Sequence, residues 1–233
     1  MKKSFKLKFM IMRKVSSFLL VIAFIGTICN VHTFAGANQN EIVNKASVSD
    51  FTNGYKLSGK SLFTFIPHAD FGDTSISHFN NALYQWNACL PTGVSGMNRS
   101  PTSRHTDTTY PRQDNINRIY RVANFSKTYV AQTTSWLNKS SKIRIEADIN
   151  LNMRYKWSNG ASSDTYDVWT VFLHEAGHVM GLRDLEDIDY VNRVMYYAST
   201  LGEKKRSVTS EERTLIQQIY GCCLLYTSDA ADD

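Results

Sequence analysis

Cysteine and proline are both scarce in these 233 residues, with 4 of each. So few cysteines exclude a disulfide-dense scaffold, and 4 Pro with 12 Gly leave no long disordered linker. No internal repeat is visible, which excludes a solenoid or propeller. A long apolar run is missing too: the stretch at 17–28 falls short of the roughly 20 residues that a membrane-spanning helix needs. Charge of one sign is also lacking once the ends are set aside. Of the 26 basic residues six precede Asn38, and of the 21 acidic residues three follow Gly221, which leaves the stretch between at +2. The formal +5 of the whole chain is therefore no evidence for nucleic-acid binding. What is present is an ordinary 42% of hydrophobic residues, enough for one sizeable core.

The two ends read as processing segments. Lys2, Lys3, Lys6, Lys8, Arg13 and Lys14 make a basic n-region, 17–28 an apolar core, and Ala35-Gly36-Ala37 a small-x-small cleavage site. Residues 1–37 are thus expected to be a secretory signal peptide, with Asn38 as the mature N-terminus and an extracellular domain over 38–221. Translation from Met10 or Met12 would shorten the n-region, and a membrane anchor is the competing reading. Residues 222–233 read as a tail, which from about Cys223 resembles translated sequencing-adapter bases. Cys89 and Cys222 are either a pair that an exported protein could oxidise or two unrelated thiols.

Between the ends the pattern alternates. Residues 61–67 predict a strand, and 74–86 a helix with Ile76, Phe79, Leu83 and Trp86 on one face. A polar loop is expected over 91–115, followed by β-prone stretches at 117–123 and 128–136. Over 142–152, Ile143, Ile145, Ala147, Ile149 and Leu151 alternate with Lys142, Arg144, Glu146, Asp148, Asn150 and Asn152, which predicts one buried and one wet face. Ser158-Asn159-Gly160 signals a turn. A helix is expected from Ser163 or Asp164 to Met180, stopped by Gly181, and another from Ser210 to Tyr220 behind a Thr209/Glu212 capping box. The expected fold is an α/β domain with one sheet.

The chemistry lies on the first of those two helices. His174 and His178, four residues apart, share a helix face and can hold one metal ion; Glu175 flanks them and can move a proton between water and a leaving amine. Val168, Phe172, Ala176, Val179 and Met180 make the opposite side apolar, so the histidines are expected to face a cleft. The pattern extends to H-E-x-x-H-x-x-G-x-x-D: Gly181 can turn the chain and bring Asp184 back as a third ligand, leaving a fourth position for water. Asp187 is a fallback ligand, or with Asp189 part of a solvated acidic loop.

This extended motif resembles that of the metzincin metalloproteases, most closely the matrixins, over roughly 61–221. The resemblance implies one twisted mixed sheet, an active-site helix, a Met-turn and a C-terminal helix, with Zn2+ as cofactor. Arg193-Val194-Met195-Tyr196 looks like the Met-turn, with Met195 as an apolar floor under the metal. The stretch Glu146-Ala147-Asp148-Ile149-Asn150-Leu151-Asn152 looks like the family's edge strand, along which extended peptide substrate pairs. Ile216-Gln217-Gln218-Ile219-Tyr220-Gly221 is similar to the closing helix. Aspartate at 184 departs from the histidine of most matrixins; its negative charge predicts a less acidic water and weaker activity. Tyr197 fits an M-x-Y pattern of other metzincins or serves as a pocket-wall aromatic. His68, His78 and His105 are expected to be locally bonded, and no cysteine-switch propeptide is visible.

The implied function is a secreted zinc endopeptidase that hydrolyses peptide bonds by Glu175-assisted attack of zinc-activated water. Its partner is an extended peptide or protein substrate, with no nucleic acid and no stable membrane association. The alternatives are a secreted zinc-stabilised binding module without proteolysis and a zinc amidase acting on cell-wall or small peptide substrates.

Overall fold

The structure, a computed structural model, describes Ser4–Lys8, Arg13–Lys14 and residues 48–221. Most of the expected signal peptide and the whole tail from Cys222 lie outside the described residues. The chain runs β1 (Ser4–Lys8), β2 (Arg13–Lys14), α1 (Val48–Phe51), β3 (Phe63–Pro67), α2 (Asp73–Asn87), β4 (Met97–Arg99), β5 (Asn117–Tyr120), β6 (Ala131–Asn138) and β7 (Ile143–Leu151). It continues through β8 (Trp157–Ser158), β9 (Tyr166–Asp167), α3 (Val168–Met180), a 3-10 turn at Ile188–Tyr190, β10 (Ala198–Ser199) and α4 (Ser210–Ile219).

The main sheet has the order β1-β6-β7-β5-β3-β4. Strands β4, β3, β5 and β7 are parallel, and β6 returns antiparallel to β7. Helices α2 and α3 pack against each other, because the apolar spacing of α2 delivers Phe79 and Trp86 onto α3. The Phe79 and Phe172 rings sit 4.5 Å apart, and the Trp86 indole N–H donates to the Leu173 carbonyl at 2.8 Å. Most of the apolar core is a single cluster joining these helices to one face of the sheet.

Three expectations need correction. Strand β7 is no edge: β5 flanks it on one side and β6 on the other. Strand β6 is the last of β3 to β7 on that side of the sheet, and its far edge pairs antiparallel with β1 from Ser4↔Asn138 to Lys8↔Thr134. The polar face of β7 is also not wet, since Glu146, Asp148, Asn150 and Asn152 are all buried. The loop before β5 and the one after it cover that face, and the side chains take up their backbone groups. Glu146 accepts from the Asp114 and Asn115 amides, Asp148 from Arg112 and Arg118, Asn150 from Val122, and Asn152 from Asn124. Arg144 leaves this row. A bulge sets Trp136 opposite Glu146 and Leu137 opposite Arg144, so Ile145 is the extra residue. Ile145 is 45% exposed, and Arg144 turns to the helix side, where its guanidinium donates to the Val179 carbonyl.

The third correction is the start of α3. It begins at Val168, not near Ser163, because Asp167 is the N-cap: its carboxylate accepts the Thr170 amide and is gripped by Arg206. The short strand β4 arises within the stretch expected to be loop. The capping box of α4 is present as expected.

Candidate metal centre

Helix α3 is buried along nearly its whole length, including His174, Glu175 and His178, so the histidine face meets other protein and not only an open cleft. The helix stops at Gly181, whose φ of 113° lies in the left-handed region. A Cβ there would also stand 2.5 Å from the Tyr55 carbonyl oxygen. Beyond this bend the chain doubles back. The Leu185 amide donates to the Met195 carbonyl at 2.9 Å, and the Tyr197 amide to the Leu185 carbonyl at 3.1 Å, which staples the segment after Asp184 to the turn holding Met195.

The result is a convergence of His174, His178 and Asp184, whose ligand atoms all lie within 4.8 Å of one another. The Nδ1 of His174 lies 2.8 Å from the Val194 carbonyl, and that of His178 3.1 Å from the Leu182 carbonyl. A carbonyl only accepts, so each Nδ1 carries the hydrogen, and in the neutral ring each Nε2 presents a lone pair. Those lone pairs face a carboxylate: Asp184 Oδ1 is 3.1 Å from His174 Nε2 and 3.5 Å from His178 Nε2. Donors about 2 Å from a tetrahedral ion stand roughly 3.3 Å apart, so these separations suit Zn2+. His174 Nε2, Glu175 Oε1 and Asp184 Oδ1 are buried, and none has a hydrogen-bond partner. Buried acceptors turned on one another are unfavourable unless something positive joins them.

The electrostatics agree. Burial works against charge on Asp184, yet the imidazoles of His178 and His174 reverse that and hold the carboxyl well below its usual range. Burial likewise opposes charging His178, but Asp184 and then Glu175 lift that imidazole to about 8. Burial raises the Glu175 carboxyl, against the pull of the two histidines and of Thr133. The Thr133 hydroxyl donates to Glu175 Oε2 at 2.6 Å, fixing the carboxylate from strand β6.

Met195 is buried against the helix. A Cβ on Gly177 would come within 2.3 Å of its sulfur, so the glycine makes room for the methionine one residue before His178. The Met195 amide donates to Glu212 Oε1 at 2.8 Å, while Glu212 Oε2 closes the α4 capping box. Sequence reasoning missed Glu212 in this role and missed Thr133; the sequence shows Glu212 only as a capping-box residue, and nothing in that pattern points to Met195.

The remaining candidates have partners of their own. Asp187 caps the 3-10 turn through the Asp189 amide. The Tyr197 ring packs edge-on against Tyr196, 4.9 Å away. His68 and His105 meet edge to face at 5.2 Å, and the Nδ1 of each accepts a backbone amide two residues on. His78 meets the Asn159 carbonyl. Cys89 is a buried thiol donating to the Gln85 carbonyl; its envisaged partner, Cys222, lies outside the described residues.

No curated protein matches the chain. The Matrixin family model matches residues 74–221, more than half of the sequence, with all of α2 but its first residue and the whole of α3 and α4. Matrixins are zinc-dependent metallopeptidases, and His174, His178 and Asp184 form a group that could hold a metal ion, with aspartate where most matrixins have histidine. With a mixed sheet, a histidine-bearing helix and a methionine turn beneath it, the chain belongs to the matrixin family.

Proposed function

We propose that this protein is a secreted zinc endopeptidase in which His174, His178 and Asp184 hold the metal and Glu175 is the general base. The observation that carries the reading is the meeting of three buried lone-pair donors beside a buried glutamate with one unengaged oxygen. Zinc held there supplies a Lewis acid that polarises the scissile carbonyl and makes water a better nucleophile near neutral pH. The protein's own groups do the rest. Thr133 pins Glu175 Oε2, leaving Oε1 to accept a proton from the attacking water and return it to the departing amine nitrogen. The raised proton affinity of Glu175 suits both transfers. Val194 and Leu182 keep the imidazoles in the tautomer that offers Nε2.

Substrate placement moves from β7 to β6. An extended peptide needs a sheet edge with backbone groups to pair, and the far edge of β6 accepts a strand, as its pairing with Ser4–Lys8 illustrates. Export is supported by the basic and apolar stretches ahead of Ala37, with 38–221 as the mature domain. Among the described residues no helix is long and apolar enough to cross a membrane.

The test is Glu175→Ala. Peptide cleavage should fall by about 10²–10⁴-fold, with zinc content kept at one per chain and wild-type cleavage abolished by a chelator. Cleavage retained by the variant would refute the base assignment, and a wild type without zinc would refute the ligand set.

A further inference from the structure

The bend between His178 and Asp184 is held from outside the helix at five successive carbonyls. His178 O receives the Asn53 side-chain amide at 3.4 Å, Val179 O the Arg144 guanidinium, and Met180 O the Tyr220 hydroxyl at 3.1 Å. Gly181 O receives the Asn53 backbone amide at 2.9 Å, and Leu182 O the Asn53 side-chain amide at 3.2 Å. Asn53 therefore serves three of the five. Its remaining atom, Oδ1, accepts the Tyr55 amide at 3.0 Å, which fixes which way the side chain is turned. Arg183 N donates in return to Phe51 O at 3.0 Å, so the segment just after α1 lies along the bend like a short antiparallel strand.

One of these contacts reaches the metal centre directly. The Leu182 carbonyl held by Asn53 is the same oxygen that accepts the Nδ1 hydrogen of His178. A carbonyl oxygen has two lone pairs; here one serves the imidazole and the other the Asn53 amide. We infer that Asn53 is a positioning residue of the metal centre, orienting the His178 ring through the Leu182 carbonyl and setting the bend that delivers Asp184. This rests on the zinc reading above. Outer partners that orient a ligand alter metal affinity by roughly 10–100-fold when removed.

Asn53→Asp is the sharpest probe. It keeps the size and the Oδ1 acceptor but replaces a two-hydrogen donor by an oxygen facing two carbonyl oxygens. The full chain is titrated with Co2+, and the visible absorption band reports ligand geometry while a melt in chelator reports the fold. Asn53→Asp should weaken Co2+ binding at least tenfold and shift the band; Asn53→Ala should do so less, since water can replace the amide. Ile119→Val, in the middle of the sheet, serves as a variant of lowered stability that touches no part of the bend. Binding within twofold of wild type and an unmoved band in Asn53→Asp would overturn the inference. So would an equal loss in Ile119→Val at matched melting temperature. A wild-type chain that takes up no Co2+ would overturn the zinc reading and this inference with it.

Discussion

Two groups of polar side chains lie buried in this protein, and they differ in how their lone pairs are used. On β7 and at the residue after it, Glu146, Asp148, Asn150 and Asn152 meet a row of backbone amides, and both oxygens of each carboxylate accept a hydrogen. At the metal centre His174, Glu175 and Asp184 keep acceptor atoms with no donor. Both groups contain carboxylates removed from water. Burial alone therefore marks neither function nor structure; the balance of donors and acceptors does. A balanced group holds a loop in place, and an unbalanced one is poised for a cation.

That contrast can be broken most strongly with zinc. At about a thousand times its Kd, zinc should stabilise the wild type by roughly 4 kcal/mol, read as a rise in melting temperature. His178→Ala should lose that rise and Asp148→Asn should keep it; the reverse pattern would interchange the roles of the two groups. Next in size is Glu146→Ala, which strips two loop amides of their acceptor and should cost about 3 kcal/mol in denaturant unfolding whether or not zinc is present. Gly177→Ala comes third. Its methyl group would press on Met195 and should cost about 2 kcal/mol, and a neutral result would mean the floor of the metal side has room to give.

The last test is a pH dependence. Burial raises the Asp148 carboxyl from 3.8 to about 7, although the Arg112 and Arg118 amides pull it down. The folded state thus holds this proton more tightly than the unfolded chain does. Its contribution to stability is complete below about pH 4 and is lost as pH rises towards 7. Asp148→Asn should flatten that part of the stability profile, and an unchanged slope between pH 4 and 7 would show that another group sets it.

The sequence made one of the two groups legible and misread the other. His174, Glu175, His178, Gly181 and Asp184 fall within eleven residues, and helix geometry with one permissive glycine brings the donors together from spacing alone. The row on β7 looked like a solvated face because strict alternation says which side a residue takes, not what covers that side. Its cover comes from residues 112–124, which read as the end of a polar loop and a β-prone stretch, and neither reading says what the segment packs against. The same limit placed β7 at the edge of the sheet, since strand order depends on pairing between segments far apart in the chain. Thr133, Asn53 and Glu212 were hidden for that reason too: the residues they bind at the centre lie 42, 129 and 17 positions away along the chain. The start of α3 was missed for a local reason. Several residues of capping type stand in a row before it, and Asp167 is selected by Arg206, a distant partner.

The bulge in β7 has one more consequence. Because Ile145 has no opposite number on β6, it is the position where this strand can lose a residue and still keep its neighbours in step: with it gone, Arg144 and Glu146 would remain across from Leu137 and Trp136. Removing any other residue between Arg144 and Leu151 would interchange inward and outward positions on one side of the gap. Length variation in this strand is thus easiest at this site, which sits directly between Glu146, the first of the row that anchors the loop, and the arginine that reaches the helix.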